Sequence, residues 1–134
     1  MRTLTLDEIT KALRASWAAD TCSPDDLERA PWTPDNPAWG HCDITSLVLN
    51  DFFGGRLVRG EVFTADGDPV CMHWWNLLDS GVELDLTHEQ FLDGQKVVRQ
   101  EVVERPRPYP RFRKDEYLLL RDRVAERLGW YPLT

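Results

Sequence analysis

The stretch Trp39-Gly40-His41-Cys42-Asp43-Ile44-Thr45-Ser46-Leu47-Val48-Leu49-Asn50-Asp51-Phe52-Phe53-Gly54-Gly55 constrains this chain more than any other. It reads as a helix that opens on a cysteine. Gly40 breaks whatever precedes it. Apolar residues then recur at Ile44, Leu47, Val48 and Phe52, which is helical spacing, and Gly54-Gly55 is a strong stop. A cysteine that opens a helix sits where unpaired backbone N–H groups and the positive end of the helix dipole converge. That setting favours the thiolate, which is the nucleophilic form. Cys42 is also readable as a small buried hydrophobe, the common fate of a free cysteine.

The rest of the chain bears on that choice. Its 134 residues fit one domain, 1–134, large enough for a core without staples. A net charge of −7 argues against a nucleic-acid or anionic-membrane binder. One local exception is Arg105 to Lys114, with five basic residues and three prolines, which reads as a solvated basic connector. No apolar run approaches the ~18 residues of a membrane helix. The N-terminus, Met1-Arg2-Thr3-Leu4-Thr5-Leu6-Asp7-Glu8, has acids where a signal peptide needs an apolar core, so a cytoplasmic location is expected. Three cysteines, Cys22, Cys42 and Cys71, are an odd number and predict no disulfide framework.

Thr5-Leu6-Asp7-Glu8 is a capping box, followed by Leu6, Ile9, Leu13 and Trp17 at helical spacing, so a first helix is predicted to about Ala19. Residues 20–39 hold four prolines and read as a long loop with one helical turn at Pro24. After the Cys42 helix come strands over 56–64 and 69–78, separated by the turn signal Asp66-Gly67. Apolar residues on both faces make the second strand central to a sheet. Asp79-Ser80-Gly81 turns the chain into an alternating strand over 82–86. Thr87-His88-Glu89-Gln90 reads as a second capping box that opens a short helix through Leu92. A fourth strand is predicted over 96–104, and a last helix over 114–128 that Gly129 stops. The architecture is α+β: N-terminal helices packed on an antiparallel meander of about four strands, then a C-terminal helix.

Residues for thiol chemistry fall on three successive elements: Cys42, His73 and Asp85. A cysteine nucleophile needs a base for its proton, and the base needs an acceptor on its other nitrogen. Register decides whether His73 and Asp85 meet. With a three-residue loop, Leu78 opposes Val82, Trp75 faces Asp85, and His73 and Asp85 become diagonal neighbours on one face. A two-residue loop would put them on opposite faces. Asn76 and Glu83 compete with Asp85 as the orienting group. His88 reads as a bystander at a helix cap, and Cys22 and Cys71 as packing residues. Trp75 shares the face of His73 and is a candidate cleft wall.

These residues resemble those of the YunG-like family of small bacterial proteins, within the papain/transglutaminase-like group. The likeness is carried by Ser16-Trp17, by Trp39-Gly40-His41-Cys42 with Thr45 and Phe53-Gly54-Gly55, and by His73-Trp74-Trp75-Asn76-Leu77. It continues in Asp85-Leu86-Thr87 with Gln90-Phe91 and in Tyr117-Leu118-Leu119. The resemblance implies a papain/transglutaminase-like fold and the group's order of Cys at a helix start, His on a strand and Asp on the next. His41 departs from it, because a glutamine is expected before the cysteine.

Two readings of function follow. One is a cysteine-dependent hydrolase or acyl transferase acting on an amide or thioester of a small molecule or peptide. In it Cys42, His73 and Asp85 are catalytic, and His41, Trp17, Trp39, Trp75 and Asn76 line a substrate or oxyanion pocket. The other is a non-catalytic binding module that keeps the cleft without the chemistry. A zinc site from His41, Cys42, Cys71 and His73 matches no standard finger spacing, and no metal or cofactor is expected. Substrate identity and oligomeric state are not written in the sequence.

Overall fold

A computed structural model describes residues 3–91, 94–107, 110 and 112–130. The first helix starts where the cap residue predicts: Thr5 Oγ1 accepts the Glu8 N–H at 3.1 Å, and α1 runs Leu6–Ser16. It ends three residues earlier than expected, at an extended Trp17. Helix α2, Pro24–Arg29, has its proline in the first turn, where a missing N–H costs nothing. Helix α3 runs Cys42–Phe53, so Cys42 is its first residue. Strand β1 (Arg56–Phe63) and strand β2 (Pro69–Leu77) form a hairpin, and β3 is only Glu83–Leu84. A 3₁₀ turn at His88–Gln90, strand β4 (Lys96–Val103) and helix α4 (Lys114–Leu128) follow. Leu92, where the sequence extends the turn into a helix, lies outside the described residues.

The four strands are antiparallel but do not form the predicted meander. Their order is β3-β2-β1-β4, because β4 returns to pair with β1. Strand β2 stays internal to the sheet, as its two-sided apolar pattern predicts. The β2–β3 register is also the predicted one, with Asn76 opposite Leu84 and Leu77 opposite Glu83. The three-residue loop sets it: Leu78 N–H donates to Val82 O at 2.8 Å, and Gly81 takes a φ of 91° that a side chain would resist.

Helix α3 is the hub. Its Ile44, Leu47 and Val48 are buried against Ile9, Leu13 and Trp17 of the α1 segment and Tyr117, Leu120 and Val124 of α4. Each buried aliphatic side chain of this kind contributes about 1.5–3 kcal/mol. The opposite flank of α3 packs on β2. Asn76 of β2 donates to Ser46 O of α3 at 2.9 Å, which ties strand to helix through a buried amide.

The basic connector is not a freely solvated loop. Arg105 pairs with Asp51 at 2.7 Å and donates to Tyr117 Oη and Leu47 O. Arg113 is buried and donates to Thr21 O at 2.8 Å and Gly40 O at 3.3 Å, and lies 3.4 Å from Asp43. Two of the five cations therefore clamp the ends of α3. Pro108, Tyr109 and Arg111 lie outside the described residues.

Candidate active site

The approach to Cys42 is built by packing without space. Gly40 has a φ of +74°, and a Cβ there would lie 2.4 Å from Cys22 Sγ. Cys22 is buried, its thiol donates to Trp39 O at 3.3 Å, and burial raises its pKa to about 11. It is a packing residue under the loop. His41 is the residue before the helix and is fully buried. Its Nδ1–H donates to Trp39 O at 2.8 Å, and its Nε2 lies 2.6 Å from Thr21 Oγ1. Both nitrogens are satisfied inside the loop.

Cys42 is half-buried, and its thiol lies 4.0 Å from Met72 O on the β2 backbone. The Trp74 backbone N–H and the Gln90 side chain lie close enough to the sulfur to favour its charged form. Burial nevertheless pushes the thiol well up from its ordinary value, and the Asp43 carboxylate beside it adds to the rise. The helix start therefore does not by itself produce a resting thiolate. Desolvation outweighs the dipole and the two donors.

His73 and Asp85 meet on the face that the register assigns them. His73 Nε2 lies 2.7 Å from Asp85 Oδ2, and His73 Nδ1 lies 3.1 Å from Gln90 Nε2. A carboxylate accepts and an amide nitrogen donates, so one tautomer of the neutral ring satisfies both contacts. Nε2 carries the proton toward Asp85, and the Nδ1 lone pair accepts from Gln90. The ring is held by Trp75, stacked at 5.5 Å, and by the edge of Phe91 at 4.5 Å. Trp75 is fixed in turn by its Nε1–H donating to Glu83 Oε1 at 3.0 Å.

Cys42 and His73 do not hydrogen-bond to each other; Gln90 stands between them. The sequence reading missed this residue. As the last residue of the box Thr87-His88-Glu89-Gln90, Gln90 is expected to serve the turn's own backbone, but Thr87 makes no side-chain cap and its hydroxyl turns to Asp85 at 3.4 Å. A glutamine five residues past the acid, on a turn that doubles back, was the available signal.

Cys42, Gln90, Trp39, Met72 and Phe91 line a cleft of about 360 Å³. Exposed Cys71 borders it too. A smaller hollow of about 200 Å³ opens on the other side of His73, against Trp75, Glu83 and Asp85. The predicted pocket residues therefore divide. Trp39 walls the Cys42 cleft and Trp75 the hollow behind His73. Trp17 lies in the core, donating to Thr45 Oγ1 at 3.0 Å. His41 and Asn76 are buried with partners of their own. Asn76 and Glu83, the competitors of Asp85, are both engaged away from His73. His88 is exposed, 3.8 Å from Asp85. The four groups of the zinc reading do not converge, since both histidines point their nitrogens at other partners. Among the described residues no cluster of three or more His, Cys, Asp or Glu is placed to hold a metal ion. No described helix is long and apolar enough to cross a membrane.

The sequence model of a family described as YunG protein matches residues 5–129. A protein described as uncharacterized protein YunG, from Bacillus subtilis (strain 168), is 30% identical over 86 residues, 64% of this chain. The match spans 63% of that relative's length. No solved structure matches.

Proposed function

Starting from a chain that belongs to the YunG family, we propose a cysteine-dependent hydrolase or acyl transferase acting on an amide or thioester. The single observation that carries this reading is the His73 tautomer. Asp85 accepts a hydrogen bond from Nε2–H, which leaves the basic Nδ1 lone pair toward Gln90, the residue that shares a cleft with Cys42. The order of Cys at a helix start, His on a strand and Asp beyond the next hairpin supports a distant papain/transglutaminase-like kinship.

In this mechanism the Cys42 proton moves to His73 Nδ1 as the sulfur attacks the carbonyl carbon. The new S–C bond pushes the carbonyl electrons onto oxygen. The Cys42 backbone N–H, at the first position of α3, faces that charge, whereas the Ile44 N–H is already held by Asp43 Oδ1 at 2.8 Å. Collapse breaks the bond to the leaving amine or thiol, and His73 returns the proton to it. Water or an acceptor then releases the acyl group from Cys42. The protonated resting thiol makes this a general-base mechanism, with the thiolate formed only as substrate arrives.

That same protonated thiol favours a second reading, a binding module that keeps the cleft alone. Incubation with p-nitrophenyl acetate and mass-spectrometric mapping separates the two. The hydrolase reading expects acetyl on Cys42, turning over, in preference to the more exposed Cys71. Acetyl on Cys71 alone, or none, supports the binding module.

A further inference from the structure

Gln90 is placed where neither a turn nor a core needs it. It is half-buried and lines the Cys42 cleft. Its one side-chain amide stands beside two groups: its Nε2–H donates to His73 Nδ1 at 3.1 Å, and it shares the cleft wall with the Cys42 sulfur. While that N–H is seated on Nδ1, the lone pair that must take the Cys42 proton is occupied. The amide also lies beside the sulfur, where the oxygen of an attacked carbonyl would come to rest.

We propose that Gln90 is a substrate-operated catalytic gate: its amide leaves His73 Nδ1 for the carbonyl oxygen of the substrate, freeing the base and stabilising the oxyanion together. This rests on the hydrolase reading and deepens it. No proton is lost in the exchange. The Gln90 N–H goes from a nitrogen acceptor to an oxygen acceptor, and Nδ1 becomes free for the Cys42 proton. The gate explains how a half-buried, protonated thiol avoids idle reaction and still becomes nucleophilic beside a carbonyl. It also assigns the second oxyanion donor, which the core position of Trp17 rules out for that residue.

Two reagents tell the two halves of the gate apart. p-Nitrophenyl acetate reacts at a carbonyl and needs an oxyanion donor, whereas iodoacetamide alkylates by displacement at carbon and needs only the base and thiol. In Gln90→Ala, acetylation of Cys42 should fall by about 10²–10³-fold, the usual loss of one oxyanion donor. Alkylation of Cys42 should hold or rise, because Nδ1 is no longer occupied. Gln90→Glu keeps the shape without the N–H donors and should show the same loss of acetylation. Parallel falls in both reactions would make Gln90 a merely structural residue and overturn the proposal. Acetylation equally fast in wild type and variants would overturn it while leaving the hydrolase reading in place. A wild type whose Cys42 alkylates and is never acetylated would remove both.

Discussion

Two histidines in this molecule are equally buried and differently partnered. His41 and His73 are 0% and 1% exposed. His41 sits in the loop before α3 between a carbonyl and a hydroxyl, both neutral. Burial holds its pKa down to about 4, and the nearby Arg113 charge helps. It is a neutral peg that shapes the turn into Cys42. His73 sits on β2 between a carboxylate and an amide, at the wall of the smaller hollow. Burial is common to both, so burial does not mark the functional one. The carboxylate partner on one nitrogen, and an acceptor lone pair on the other that meets the amide lining the Cys42 cleft, do.

Removing each ring in turn makes the largest test of that contrast. His73→Ala should slow acetylation of Cys42 by about 10²–10⁴-fold, the range for a general base. His41→Ala should lower the melting temperature while the folded fraction retains acetylation. Equal acetylation losses per folded molecule would erase the distinction.

The next effect is on stability against pH. His41 has a folded pKa below its unfolded value of about 6.5. Its contribution to stability is therefore full above pH 6.5 and is lost as the pH falls toward 4, because the unfolded chain takes up the proton first. The difference is of order 3 kcal/mol. Half-buried Asp26 and Asp43, whose pKa values desolvation raises, act in the opposite direction on acidification, so the comparison must be made between proteins. Denaturant titrations of wild type and His41→Gln between pH 4 and 7 should show a shallower pH dependence in the variant. Identical slopes would mean that His41 is not held neutral.

Asp85→Asn keeps the shape and removes the charge. Acetylation of Cys42 at neutral pH should slow by about tenfold, near 1.4 kcal/mol, with the fold intact. A smaller change is expected where the partner only braces the ring. Trp75→Phe deletes the N–H that reaches Glu83 and should reduce stability by about 1 kcal/mol in urea unfolding.

Much of this was legible from residue spacing. The bounds of α3, the Gly81 hairpin and the resulting meeting of His73 with Asp85 follow from local rules: helical periodicity, turn chemistry and the two-residue period of a strand. What was not legible depends on contacts far apart in sequence. Strand β4 pairs with β1 because of tertiary packing, and its weak alternation carries no signal of partner. Arg105 and Arg113 look like solvated cations until the acceptors of α3, α4 and the loops at Thr21 and Gly40 are brought to them. The thiol expectation failed because a helix start predicts a field and says nothing about desolvation, which here is larger. Gln90 was hidden by a local motif that explained it too well.

The account turns on which nitrogen of His73 carries its proton. Long-range ¹H–¹⁵N NMR of the imidazole at neutral to mildly alkaline pH reads this directly, with His73→Gln to assign the signals. The hydrogen bonds of His73 require the Nε2–H tautomer, with an unprotonated Nδ1 facing Gln90 and the Nε2 proton shifted downfield by Asp85. An Nδ1–H tautomer would leave the nitrogen on the Gln90 side without a lone pair, and His73 could not act as the base for Cys42.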